Sequence, residues 1–412
     1  MSFVKIKTAM MASVSMVLVL GILFSINYYL NRQNPNLVIL SPISDSFSIL
    51  SFTKKRDPPK KIVYGYLPYW TLERAKYLQY DRLTDIAYFG LHIDAKGDFI
   101  SVQNGEYVPG YNHWKNSEDL KRIIAEAKLH GVNVSPTIIS HVDEVSDQFL
   151  DCRECWDNLA NNIIKELDSH ELTDVNLNFE YAEYTPIEKA QQYTQFVDFL
   201  NKKLDKEYGN STVVVATFAD SIVKDRVSDI EGLSKAADLL FIMAYDFHRP
   251  TSDTAGPVAP LGGKGVHAEY DIETMIKDYR SFTPPNKIIM GVPYYGYNWV
   301  VEEDAKYAAR ISGTDEIGYS QSQTYEYIME TIIKVKPDIK WDNLAKSPYF
   351  TYTSPETGSI REVFYDDVDS LRLKYEMINN LDLAGVGIWA LGYDGGYEEL
   401  WNLIGERFVE DN

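Results

Sequence analysis

From residue 62 onward the chain repeats one pattern eight times. Short β-rich apolar runs cover residues 62–67, 85–92, 132–139, 174–180, 212–219, 237–245, 287–293 and 385–390. Between them lie amphipathic stretches such as 117–130 and 158–169, with apolar residues three and four apart. Strands that alternate with helices imply βαβ units and a parallel sheet. Eight such strands in one domain predict a (β/α)8 barrel. The runner-up, a doubly wound open sheet, wants a glycine-rich phosphate loop after its first strand. Gly65-Tyr66-Leu67-Pro68-Tyr69-Trp70 is not one.

The barrel accounts for residues 61–412. Within it, 299–366 is too long for a simple crossover and carries Tyr-rich, strand-like pieces. It is expected to be a small α+β insertion subdomain after strand seven, on the catalytic face. Ahead of the barrel, residues 9–26 are uncharged and almost wholly apolar, long enough to span a bilayer. Lys5 and Lys7 precede this stretch and Arg32 follows it. That bias predicts an uncleaved transmembrane signal anchor (residues 1–30) in the lipid bilayer, with the barrel outside the cytoplasm. If the segment is cleaved, the barrel is secreted. Residues 31–60, with Asn-Pro, Ser-Pro and Pro-Pro steps and a charge cluster, read as a linker.

The fourth run has an unusual face. Val175, Leu177 and Phe179 alternate with Asn176, Asn178 and Glu180. Strands covered on both sides normally read as continuous apolar runs. A polar row ending in Glu suggests a barrel interior rising into an active site, because barrel chemistry sits at strand C-terminal ends. Other strand ends supply Tyr66 (first), Met243, Tyr245 and Asp246 (sixth) and Trp389 (eighth). One acid, one phenol, one further carboxylate and an indole suit glycoside hydrolysis. The seventh run ends Pro293-Tyr294-Tyr295-Gly296 without an acid, so the second carboxylate of an ordinary retaining glycosidase is missing there. His141 and His248 follow strands three and six and read as loop residues.

Composition narrows the partners. The net charge of −20 opposes a polyanion, so nucleic acid is excluded. The 30 tyrosines suit either packing or a carbohydrate groove. Cys152 and Cys155 are the only cysteines, too few for a structural zinc site, and leave two thiols, a redox pair or a local disulfide open. A monomer is expected.

These residues resemble glycoside hydrolase family 18, the chitinases, endo-β-N-acetylglucosaminidases and spore-associated peptidoglycan glucosaminidases, over about residues 62–408. At the place of the family's Asp-Gly-x-Asp-x-Asp-x-Glu this chain reads Thr173-Asp174-Val175-Asn176-Leu177-Asn178-Phe179-Glu180: the Glu is kept, Thr173 and Asp174 replace the Asp-Gly opening, and Asn176 has the Asn that the spore-associated branch often carries there. Its Met-x-Tyr-Asp is intact at Met243, Tyr245 and Asp246, and its strand-eight Trp falls on Trp389. The spore-associated branch is the nearest likeness. The resemblance implies substrate-assisted retaining hydrolysis of β-linked N-acetylglucosamine glycans, peptidoglycan or chitin-like, with no metal and no organic cofactor. It implies that Glu180 protonates the glycosidic oxygen, Tyr245 holds the acetamido carbonyl, Asp246 shapes the hydrogen bonding, and Trp389, Tyr66, Met243 and Tyr294 contact the sugar. Asn178 stands where the family has Asp. An amide can accept the acetamido N–H but carries no full charge, and charge-assisted hydrogen bonds are roughly twice as strong as neutral ones. The alternative reading is therefore a catalytically weak glycan-binding protein.

Overall fold

The computed structural model describes residues 59–181, 184–266 and 269–409. The expected membrane anchor and most of the linker lie outside the described residues. Among the described residues no helix is long and apolar enough to cross a membrane.

The strands are numbered in chain order. Eight close a barrel: β1 (Ile62–Pro68), β2 (Asp85–His92), β5 (Asn133–Ser140), β6 (Val175–Phe179), β7 (Val213–Phe218), β8 (Leu239–Met243), β9 (Ile288–Pro293) and β15 (Gly385–Trp389). Their order around the barrel is β1-β15-β9-β8-β7-β6-β5-β2, and every pair is parallel. Each expected run overlaps one of these strands, with β1 and β5 each running one residue further than expected. A short hairpin, β3 (Val102–Gln103) with β4 (Glu106–Tyr107), stands on the connection after β2.

Helices form the outer layer, and their ends follow from local chemistry. Ser117 Oγ accepts from Leu120 N at 3.2 Å to open the helix Glu118–His130, and Gly131 closes it at φ 72°. Asp229 and Asp271 cap the helices Ile230–Ala236 and Ile272–Tyr279 in the same way. A side-chain oxygen there satisfies a backbone N–H that the helix itself cannot.

β6 shows how the sequence pattern divides the two layers. Val175, Leu177 and Phe179 are fully buried on the helix side. Phe179 stacks on Tyr193 with ring centroids 4.9 Å apart and meets Phe149 at 5.9 Å. Burying such a ring contributes about 1.5–3 kcal/mol. Asn176 and Asn178 take the inner face, where Asn176 Oδ1 accepts from Tyr66 Oη at 3.1 Å. Tyr64, Tyr66, Phe241 and Ile289 fill the rest of the interior. Asp174 lies just before β6, and its Oδ1 accepts from Thr212 N at 2.9 Å, so it anchors the neighbouring strand's entry.

A second sheet occupies the interval after β9. It is antiparallel, ordered β11-β10-β14-β13-β12, from β10 (Tyr295–Val300), β11 (Gln321–Thr324), β12 (Lys340–Asp342), β13 (Ser347–Thr353) and β14 (Ile360–Phe364). The helix Tyr325–Val335 accompanies it. The sheet begins at Tyr295, four residues before the expected 299. Trp299, expected as its first residue, is wholly buried among Tyr297, Val301 and Phe364.

Candidate active site

A cavity of about 920 Å³ opens at the C-terminal ends of the barrel strands. Glu180, Asn178, Tyr245, Asp246, Met243, Tyr66 and Trp389 all line it. Seven of the eight residues singled out from sequence therefore meet in one place.

Glu180 follows the last residue of β6, and its N–H donates to Ser140 O of β5 at 3.0 Å. That bond holds the strand end in place while the side chain projects into the cavity, 29% exposed. Asn178 Nδ2 donates to Glu180 Oε1 at 3.0 Å. Asn178 is itself only 3% exposed, and its Oδ1 has no hydrogen-bond partner. A buried acceptor without a partner costs roughly 1–3 kcal/mol. His141 follows β5, and its Nε2 lies 3.4 Å from the same Oε1.

Trp389, at the end of β15, forms the floor. Its ring meets Phe89 at 4.8 Å and Tyr66 at 5.4 Å. Burial pushes the Tyr66 and Tyr245 phenols well above their ordinary values. Both therefore stay protonated, and each can donate a hydrogen bond at any working pH.

Asp246 sits at φ 63°, in the left-handed region that Asp tolerates better than most residues. Its Oδ1 accepts from Tyr297 Oη at 2.5 Å and also from Tyr295 Oη. Arg249 Nε lies 3.7 Å from its other oxygen. Two phenols and a guanidinium hold this carboxylate as a fixed acceptor.

Tyr294 is the exception. It is fully buried, does not line the cavity, and packs beside Tyr375 on the outer side. The physical reason is strand alternation. Tyr295 and Tyr297 face Asp246, so the residue between Pro293 and Tyr295 faces the other way. The residue that takes part in the site is Tyr295.

Other residues were not singled out by the strand-end pattern. Phe89 and His141 line one wall, and Asp220, Arg226, Arg249, Lys264 and Tyr270 line another. Asp220 directly follows the 212–219 run, so its position was available as a signal. Burial pushes its carboxyl up, but Arg226 outweighs this through bonds of 3.0 and 2.8 Å, helped by Lys224 at 3.2 Å, and holds it below the usual carboxylate range. This acid at the cavity is thus committed to an ion pair. His248 lies off the site, its Nδ1 2.9 Å from Pro257 O. Among the described residues no group of His, Cys, Asp and Glu is placed to hold a metal ion.

A closed eightfold barrel whose strand ends bring an amide-contacted acid over an aromatic floor is an arrangement suited to glycoside hydrolysis, and the family match gives the class: a glycoside hydrolase. The chain belongs to glycosyl hydrolases family 18, whose profile matches residues 62–394. It is a chitinase-like glycosidase. It is 27% identical over 348 residues to the probable di-N-acetylchitobiase 1 of Dictyostelium discoideum, covering 76% of this chain and 86% of that protein. It is 26% identical over 349 residues to the putative sporulation-specific glycosylase YdhD of Bacillus subtilis, covering 83% of this chain and 71% of that one. Among solved structures, the spore cortex-lytic enzyme SleL of Bacillus megaterium superposes with a TM-score of 0.66 at 21% identity, covering 86% of this chain and 75% of that one.

Proposed function

We propose that this glycosidase cleaves β-linked N-acetylglucosamine-containing glycans by substrate-assisted retaining hydrolysis. The observation that carries the reading is the two-sided amide of Asn178. Its Nδ2 holds Glu180 Oε1, and its buried Oδ1 faces no partner of the chain. An acetamido N–H is the donor that this acceptor suits. Glu180 keeps Oε2 for the proton it gives to the glycosidic oxygen. As that bond breaks, the acetamido carbonyl attacks the anomeric carbon, steered by the Tyr245 hydroxyl, and closes an oxazolinium ring. Water then opens the ring and returns a proton to Glu180. Holding the internal nucleophile in place is a proximity effect. Asp246, fixed by Tyr295 and Tyr297, anchors the Tyr245 side of the site, and Trp389 supports the sugar face.

Peptidoglycan is the first choice of glycan and chitin-type chains the second. One feature supports that order: relatives named for sporulation and spore-cortex lysis. We further propose that residues 9–26 anchor the enzyme in a membrane with the barrel outside the cytoplasm. The Cys152–Cys155 disulfide supports this, since disulfides persist in oxidising compartments.

The test is hydrolysis of a chromogenic chito-oligosaccharide and of purified peptidoglycan, with Glu180→Gln as control. Equal rates for the two proteins would refute the hydrolase reading. The second reading, a weak or inactive glycan binder, is favoured by the neutral Asn178. It predicts retained glycan affinity without turnover in the unmodified chain, and a gain of turnover in Asn178→Asp.

A further inference from the structure

The acid of this site has an imidazole for a neighbour, in a chain whose strand-four motif has lost a carboxylate. His141 Nε2 lies 3.4 Å from Glu180 Oε1, the same oxygen that receives the Asn178 amide. The placement comes from the barrel frame. Ser140 pairs with Phe179 in the β5–β6 register, so the next residue on each strand, His141 and Glu180, leaves the barrel side by side. Two aromatic residues of β2 back the imidazole: Phe89 at 6.4 Å and His92 at 6.0 Å between ring centroids. On its own side, Asp143 and Glu144 open the helix that follows. Burial and proximity to each other lower the basicity of His92, and burial lowers that of His141, opposed by the attraction of Glu180. The His141 side chain keeps 33% of its surface open to the cavity, so its proton can exchange.

We propose that His141 and Glu180 form a proton-sharing pair, with His141 a positioning residue that acts on the reaction through Glu180. The inference rests on Glu180 being the general acid. Between pH values where the pair holds one proton, that proton resides either on Glu180 or on Nε2 of His141. Glycosidic cleavage moves it from Glu180 to the leaving oxygen and empties the pair. Attack of water on the oxazolinium carbon returns one proton, so the pair is unchanged over a turnover. Recessing the imidazole beside His92 disfavours the imidazolium and opposes the attraction of Glu180, which keeps the imidazole from holding the shared proton outright. This gives the acid a titratable partner where Asn178 supplies none.

Two readouts test it. The first needs no turnover: histidine proton–nitrogen spectra of the full chain, titrated across the imidazole range, with His141 assigned by comparison with His141→Gln. In Glu180→Gln the His141 midpoint should fall by about 0.7 unit or more, the effect of removing one charge at such a distance in a wet site. Identical midpoints in the two proteins would overturn the proposal, whatever the enzyme hydrolyses. The second is the pH profile of kcat/KM. A coupled pair releases its last proton at a higher pH than either member alone. The alkaline limb of His141→Gln should therefore move to lower pH by about one unit. A lower plateau with an unmoved limb would show a packing role only and overturn the proposal. If His141→Gln does not fold, sequential assignment of the unmodified chain still allows the Glu180→Gln comparison. Absence of hydrolysis by the unmodified chain with a shifted midpoint would fault the substrate assignment and leave the pair intact.

Discussion

The two walls of the cavity hold their carboxylates differently. On the β5–β6 wall, Glu180 is partly exposed and receives one amide hydrogen bond, with a neutralisable imidazole beside it. On the wall shared by β8 and β10, Asp246 is gripped by two phenols and approached by a guanidinium. In the proposed mechanism, the group that changes protonation in each turnover is the loosely held one. A group that must stay an acceptor is surrounded by donors that cannot lose their protons easily. Burial pushes the Tyr295 and Tyr297 phenols up, and Asp246 pushes them further.

This contrast can be broken from either side. The largest effect is expected for Glu180→Gln, which removes the transferable proton and should lower kcat about a thousandfold, read with a chromogenic chito-oligosaccharide. Asn178→Ala removes both the bond to Oε1 and the unpartnered acceptor, and should lower kcat/KM about a hundredfold. A loss below about threefold would mean that Asn178 is a spectator. Tyr295→Phe or Tyr297→Phe removes one donor from a carboxylate that keeps the other. Each should cost about tenfold in kcat/KM, the value of one hydrogen bond to a charged group, and the double variant should cost more than the sum if they act as one unit. The smallest effect belongs to Tyr294→Phe. Its ring lies outside the cavity, so kcat/KM should stay within about twofold, because only interactions that differ in the transition state change the rate. A larger loss would show that the outer face of the connection also shapes the site.

Much of this was legible in the chain because two different periodicities were. The 175–179 alternation separates a helix-facing row from a barrel-facing row, and the structure places Phe179 and Asn178 on those two sides. Strand-end position then collected Glu180, Tyr245, Asp246, Met243, Tyr66 and Trp389 at one mouth. Tyr294 failed the same rule for a local reason. The β9 run and β10 follow one another so closely that parity, and not proximity to a strand end, decides which tyrosine turns inward. Asp220 was within reach of the strand-end rule, but its pairing with Arg226 was not, because their six-residue separation is set by loop geometry and matches no strand or helix period. His141 looked like a loop residue because its partner is 39 positions away in sequence and becomes adjacent only through the register of two parallel strands.

The junction between β9 and β10 has an evolutionary consequence. A single residue, Tyr294, separates the two strands, and the hydroxyls that restrain Asp246 ride on the second of them. Adding or removing one residue there would rotate Tyr295 and Tyr297 to the opposite face, as any one-step slip does in a pleated strand. The length of this threshold is therefore fixed by the register of Tyr295 and Tyr297 against Asp246. Insertions should accumulate in the distal turns of the second sheet, and the spacing from Pro293 to Tyr297 should behave as a hinge pin that lineage after lineage leaves at one length.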